Sequence, residues 1–348
     1  MLQVFNKIDK VKEEWDKVNS TFFLHSSFLE IFYINHPKIK HLFVMDKDIR
    51  LYGHIFVLRF DKTSRYLRNK VFSFFIRFIK FDVLYLTNTF ITNIPAFISN
   101  KNINLDKLLS AIQHHYNLLV VPDFLLNNMT VSNNDFFKIE VEEDMVLEIR
   151  DKWVDIDSYI YDLRKKYRNK IKKFTINSNK IEIRTMNEND IKLYSEKIQD
   201  LFFQVINESN FTGPLFNTDS FSLLIKKDIF KLYGYFVDNN LIAFSSEIHQ
   251  DKILYSYYVG FEKSLNKVFS IYPRILIETI NNAITLKKDK VIFGRTANEF
   301  KSNFGARPVK SHVYIKVNNR YLRIILYPIL KRLTLKKWKK RNPFKENV

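Results

Sequence analysis

Cysteine is absent from this 348-residue chain. There is accordingly no disulfide framework, no thiol nucleophile and no zinc–thiolate site. The eight histidines are scattered, and only His114 and His115 adjoin. Neighbours on a helix point about 100° apart, so that pair is a poor chelate and no metal site is expected. Glycine is sparse, with 6 in all. No Walker loop, dinucleotide fingerprint, serine-hydrolase elbow or zinc-protease helix occurs. Long apolar runs are missing too: none approaches the ~18 residues of a membrane span, and Val71 to Leu86 is broken by Arg77, Lys80 and Asp82. Met1 to Trp15 is charged and lacks the apolar core of a secretory signal, so a cytoplasmic protein is expected, peripheral at the inner face of the membrane.

What the chain does have is core and positive charge. Hydrophobic residues make up 46%, enough for two domains, and 56 Lys and Arg against 37 Asp and Glu leave a formal charge of +19. That balance suits an anionic partner: nucleic acid, an acidic carrier protein, a phosphate-bearing cofactor or an anionic membrane face. An AT-rich genome writing lysine, asparagine, isoleucine and phenylalanine accounts for composition as well, but less well for clustering.

The first half reads as a short charged helix around Lys10 to Val18, then a hairpin of Leu42 to Met45 and Leu51 to Phe60 turned at Asp46-Lys47-Asp48. A strand from Val83 to Phe90 follows the aromatic, basic segment Tyr66 to Phe81. Next come a helix from Leu105 to Tyr116 capped by Asn104, a buried strand Leu118 to Val121, and two strands, Phe136 to Val141 and Met145 to Ile149. The second half has a strand Ile181 to Thr185, a helix capped by Asn189-Asp190 and running to Asn207, and a helix from Asp219 to Ile229. Strands Leu232 to Val237, Leu241 to His249 and Ile253 to Gly260 come next; His312 to Val317 and Tyr321 to Leu326 are the last two. The halves share one order of elements, which implies a tandem duplication of an α+β unit: domains 1–150 and 151–320, then a last strand and basic tail over 321–348.

Between the halves, Trp153 to Phe174 reads as a helix, with seven cations against Asp162 over Tyr161 to Lys173. It is either a solvated face or a phosphate-binding one. The tail from Tyr321 interleaves Arg323, Lys331, Arg332, Lys336, Lys337, Lys339, Lys340, Arg341 and Lys345 with Ile324, Ile325, Leu326, Ile329, Leu330, Leu333, Leu335 and Trp338. Such a segment suits an anionic membrane surface, and RNA or a disordered tail are the alternatives.

Ile253 to Pro308 organises the second half. Strand Ile253 to Gly260 leads to a helix with Pro273 in its first turn, whose Ile275, Leu276, Thr279, Ile280, Ala283, Ile284 and Leu286 share a face. A short strand Val291 to Phe293 ends at Gly294. The two strands are expected to lie parallel, with ligands gathering at their carboxyl ends.

The residues at that end carry a resemblance. Tyr257-Tyr258-Val259-Gly260, Phe293-Gly294-Arg295-Thr296 and Glu299-Phe300-Lys301-Ser302-Asn303-Phe304-Gly305-Ala306 resemble the C-terminal half of a GNAT-fold acyltransferase. More closely, they resemble the branch of the Fem-type peptidoglycan bridge transferases and their bacterial relatives, with which the element order agrees over about residues 150 to 320. The fold implied is α+β, a tandem duplication of a GNAT-like domain with mixed, mostly antiparallel sheets. One departure stands out: the phosphate-cradling glycine loop of ordinary GNAT enzymes is missing, since Phe261 to Tyr272 has no glycine. The Fem-type branch shares this lack.

The resemblance implies an N-acyltransferase that takes an acyl group from acyl carrier protein or acyl coenzyme A to a primary amine of a lipid, sugar or peptide, with no tightly bound cofactor. Charged tRNA, the donor of Fem-type enzymes, is the rival, and a non-catalytic RNA- or membrane-binding protein is a reading from another class. Transfer needs a held carbonyl, a stabilised oxyanion and a route for the amine's proton. Lys301 is the leading catalytic candidate, because a Phe-Lys pair lies at the reacting centre of the Fem-type branch; Phe300 would exclude water. Glu247, the only acid inside its strand, is the candidate base, although by alternation it shares a face with Ser245 and His249 that reads equally as solvated. Arg295 suits a phosphate or an ion pair with Glu299. Arg168 and Lys172 are donor-binding candidates, as are Tyr257 and Tyr258, of which alternation lets only one line the cleft. Asn207-Glu208-Ser209-Asn210-Phe211 is a less specific place for acceptor contacts.

Overall fold

The computed structural model describes residues 2–18, 21–59, 80–91, 94–130, 136–207, 213–332, 335 and 337–345. Most of Tyr66 to Phe81 and the motif residues Glu208 to Phe211 lie outside these, as do Leu333, Lys336 and Glu346. In chain order the elements used below are β1 (Gln3–Phe5), α1 (Ser26–Asn35), β2 (Lys40–Asp46), β3 (Ile49–Arg59), β4 (Lys80–Tyr85), α2 (Leu105–Ser110), β5 (Leu118–Pro122) and β6 (Phe137–Glu148). They continue with α3 (Ile156–Asp162), α4 (Lys165–Asn177), β7 (Glu182–Thr185), α5 (Ser195–Ile206), β8 (Phe230–Val237), β9 (Asn240–Gln250) and β10 (Ile253–Phe261). The last are α6 (Lys263–Phe269), α7 (Ile271–Thr285), β11 (Lys290–Gly294), α8 (Asn298–Ser302), β12 (Arg307–Val317) and α9 (Arg320–Arg332).

Two units emerge. The first is Met1–Val141, Asn210–Asn217 and Ser311–Leu335; the second is Glu142–Ser209, Thr218–Lys310 and Lys336–Val348. In the first, β1 to β4 pair antiparallel in chain order, β5 lies parallel to β4 with Val83 beside Leu118, and β12 closes on β5 antiparallel with Val313 opposite Pro122. In the second, β7 to β10 pair antiparallel, β11 lies parallel to β10 with Ile253 beside Lys290, and β6 closes on β11 antiparallel with Glu148 opposite Lys290. The duplicated α+β unit with mixed, mostly antiparallel sheets is thus present in both halves.

Each unit is completed by the strand that follows the other half in sequence, so the units divide at 141/142 and 310/311 rather than at the expected 150 and 320. Hydrophobic alternation reports which face of a strand is buried, not which neighbour it pairs with, and this exchange leaves no mark in it.

Local differences have local causes. Phe136 to Ile149, expected as two strands, is the single strand β6. Trp153 to Phe174 is two helices, broken at Leu163-Arg164, where the Arg164 amide donates to the Pro343 carbonyl at 2.8 Å and Leu163 bridges Phe344. Tyr321 to Leu326 is helix, not strand: Leu322, Leu326 and Leu330 repeat every fourth residue over Phe81, Val83, Leu118 and Val317, and the Asn319 side chain accepts from the Leu322 amide. Leu286 is 47% exposed, one residue past the end of α7.

The basic tail is likewise structured at its end. Phe344 is buried among Trp153, Tyr159 and Leu163, with the Arg150 guanidinium 4.2 Å from its ring centroid. Trp338 donates its indole N–H to Glu143 at 3.0 Å, and Arg341 pairs with Glu299. The tail is held by Phe344, Trp338 and the Arg341–Glu299 pair, which charge counting does not weigh.

In the first unit, β2 and β3 bury a histidine chain facing α1. His41 Nδ1 is 2.6 Å from the Tyr52 hydroxyl, which is 2.7 Å from His54 Nε2; His54 Nδ1 is 2.9 Å from the Thr89 hydroxyl. Burial lowers His36 to about 4 and His41 to about 3, and lowers His54 far below its ordinary value. These groups stay neutral when folded but protonate when unfolded below the ordinary 6.5. The unfolded chain therefore binds more protons there, and stability falls as pH drops from about 6.5 toward 4. Urea midpoints at pH 7 and 5 should show that fall, and His41→Asn should flatten it; an unaltered slope in the variant would remove the histidines as its source.

Candidate functional site

The site is built on β10 and β11. Their parallel pairing runs through Ile253–Lys290, Leu254–Val291 and Tyr255–Ile292 and then stops, although β10 continues to Phe261. The strands therefore part at their carboxyl ends, and the open edge of β10 starts at Ser256.

Just there β10 is irregular. Ser245 of β9 pairs with Val259 and Glu247 with Ser256, so Tyr257 and Tyr258 together face the single residue Ser246. The Ser246 hydroxyl holds this bulge, bonding both the Tyr258 amide and carbonyl at 2.9 Å. The extra residue cancels the alternation. The two tyrosine rings consequently lie 4.4 Å apart instead of on opposite faces, Tyr258 touching Phe202 of α5 and Tyr257 near Phe230. Burial raises both phenols above their ordinary 10.0.

Beyond β11 the backbone is strained. Gly294, Thr296 and Ala297 have φ of 69°, 67° and 51°, and the two that are not glycine cost about 1–2 kcal/mol each in that region. Lys301 holds this turn. Its ammonium, 3% exposed, donates to the carbonyls of Phe293 (2.8 Å), Gly294 (3.1 Å) and Arg295 (2.8 Å). All three of its N–H donors are thereby used. Burial lowers its pKa to about 7, opposed by the charges of Asp144 and Glu142. Lys301, the leading catalytic candidate from the sequence, is buried and staples the turn at the end of β11.

Arg295 faces Asp144 at 3.5 Å, and Asp144 is 1% exposed. Glu299, the alternative to a phosphate as partner of Arg295, binds Arg341 instead. Phe300 is half-buried beside Phe174, Tyr272 and Phe304. Lys301, Phe300 and Arg295 are therefore brought together. From α4, Lys170 joins them, bonding Asn303 at 3.2 Å with its ammonium 5.7 Å from the Phe300 ring centroid. Arg168 lies over Tyr161 and Lys172 is exposed, both elsewhere on α4.

Glu247 is not in this group. It is 1% exposed, not solvated, and its carboxylate accepts from Asn282 of α7 at 3.1 Å and lies 2.8 Å from His249 Nε2. Burial raises its pKa, with the His249 and Asn282 bonds opposing. Asp144 and Lys170 were not singled out in the sequence, and Arg341 was read only as part of the basic tail; the acidic run Glu142-Glu143-Asp144 in β6 was the available signal.

The amino end of α7 is internally occupied. The Asn266 side chain of α6 accepts from the Tyr272 amide at 2.9 Å, and Pro273 has no N–H. That helix end offers few donors to a diphosphate. Among the described residues no group of three or more His, Asp or Glu is placed to hold a metal. A shallow cavity of about 390 Å³ lined by His114, His115 and Asn319 belongs to the first unit and contains none of the groups above.

No protein-family model and no curated protein matches the sequence. Solved structures do. FemX is 8% identical with a TM-score of 0.52, over 93% of this chain and 99% of its own. L-PGS from Bacillus licheniformis is 10% identical at 0.51, over 94% and 96%. The C-terminal domain of a protein described as a lysylphosphatidylglycerol synthetase from Agrobacterium fabrum is 8% identical at 0.50, over 92% and 96%. In fold, this chain is similar to these tandem GNAT-like proteins.

Proposed function

We propose that this protein is an amide-forming N-acyltransferase that takes its acyl group from an anionic macromolecular carrier. The observation that carries the reading is the opening between β10 and β11, with a strained turn stapled by Lys301 at its rim. An acyl arm laid along β10 past Tyr255, where β11 no longer pairs with it, lies against that strand's backbone, whose N–H groups suit a carbonyl oxygen that becomes an oxyanion. The amine attacks the carbonyl carbon, a C–N bond forms, and the bond to the carrier's sulfur or oxygen breaks. The amine's proton passes to solvent, and the departing group takes up a proton. Lys301 is here a positioning residue. The fold shared with FemX and L-PGS supports a transferase acting on envelope or lipid amines.

A macromolecular carrier is favoured over free coenzyme A because the amino end of α7 is filled by Asn266 while Lys165, Lys166, Lys172 and Lys173 of α4 are exposed. Acyl carrier protein is the first candidate. Charged tRNA is the second, favoured by the likeness to the Fem-type branch. Purified protein given an amine acceptor with acyl carrier protein, acyl coenzyme A or aminoacyl-tRNA should transfer from one of the two carriers at least tenfold faster than from coenzyme A. Replacing the four exposed lysines by glutamate should lower kcat/KM for that carrier. Equal rates with coenzyme A would overturn the carrier assignment, and no transfer from any donor would overturn the enzyme.

A further inference from the structure

The helix α9 is apolar on two sides. Leu322, Leu326 and Leu330 face inward and pack against Phe81, Val83 and Val317. On the opposite arc stand Tyr321, 78% exposed, Ile324, 66%, and Tyr327, 42%. Successive residues on a helix turn by about 100°, which puts Arg320 and Lys331, both exposed, on that same arc. An inward stripe alone suffices to hold a surface helix; Tyr327 also meets the Phe137 ring edge-on at 5.3 Å, but the exposure of Tyr321 and Ile324 is unexplained by folding.

We infer that this outer face docks on an anionic lipid bilayer. Its composition matches a helix lying in the interfacial plane: tyrosines at the depth of the headgroups, a β-branched aliphatic between them, and cations directed at lipid phosphates. Thirteen residues reach about 20 Å, short of a bilayer core, and no helix among the described residues is long and apolar enough to cross a membrane. Charge complementarity selects the occupant. The chain's net charge is +19, and the apolar arc has a cation near each end. RNA uses the cations but has no use for exposed Ile324, whereas a second copy of so basic a chain is repelled. The docking surface is independent of the transferase reading, because vesicle binding is measured without any donor.

The full chain should sediment with vesicles of phosphatidylglycerol and phosphatidylcholine and not with phosphatidylcholine alone. Tyr321→Ser with Ile324→Ser should weaken binding at least tenfold. Arg320→Glu and Lys331→Glu should each weaken it about fivefold or more and reduce its salt dependence. Melting of all these variants should match that of the parent, since none of the replaced side chains faces the core. Equal binding to neutral vesicles, or unchanged binding in the Tyr321 and Ile324 variant, overturns the inference. RNA binding without vesicle binding overturns it too, as does self-association that alone is lost with Ile324→Ser.

Discussion

Gly305→Ala is expected to destabilise the second unit by about 3–5 kcal/mol and to release the chain end around Phe344, an effect on the scale of deleting a buried phenylalanine. Two causes act together. Gly305 has φ of +92°, which a side chain tolerates at a cost of about 1–3 kcal/mol. A Cβ there would also stand 2.2 Å from the Phe344 ring, far inside contact distance. The ring has little room to retreat, being packed on Trp153 and Tyr159 under Arg150. Phe344→Ala alone should cost about 3 kcal/mol. Once the ring is gone the added methyl keeps only a tight 3.3 Å contact with the Leu147 side chain, so the double variant should cost less than the sum, leaving mainly the backbone penalty on top of the lost ring. Urea unfolding of the four proteins measures this coupling. Additive losses would mean that ring and glycine do not meet.

Lys301→Met should cost about 3 kcal/mol near neutral pH and lower transfer about 100-fold. Methionine keeps most of the volume, so the loss is chemical: three buried carbonyls lose their donors, and nothing then holds Thr296 and Ala297 in the left-handed region. A turn that relaxes by an ångström moves the rim of the opening, and misplacement of that size is costly in rate. The pH dependence has a definite sign. The folded ammonium titrates near 7 and the unfolded one near 10.5. Between those values the unfolded chain holds more protons, so this group's contribution to stability rises with pH through the window and is lost as pH falls through 7. The parent should gain stability from pH 7 toward 10 relative to Lys301→Met. Parallel curves for the two proteins would show that Lys301 is not held in a buried, desolvated state.

Much of this site is legible in the sequence because it is local. The strands flanking Pro273 and their parallel relation follow from apolar runs, a glycine stop and the length of a crossover, while the motif Phe300-Lys301 with Gly305 was marked by the resemblance to the Fem-type branch. The tyrosine pair was misread, since one bulge held by Ser246 reverses the alternation from which two faces were inferred. For Glu247, alternation placed it correctly with Ser245 and His249 but left open whether that face is solvated, because whether a polar face meets water depends on what covers it, and α7 covers this one.

The sequence by itself determined the duplicated α+β plan, the excess of positive charge and the absence of thiol chemistry, because composition and periodicity are properties of neighbouring residues. Only the tertiary structure decided that β6 and β12 change units, that Lys301 is a staple, and that Phe344 anchors the basic tail. Each of those depends on contacts between residues far apart in sequence: Lys301 meets its carbonyls only after the chain turns back at Ala297, and Phe344 finds its place only because Gly305 leaves room for a ring. Shape and proximity set such contacts, and no local pattern encodes them.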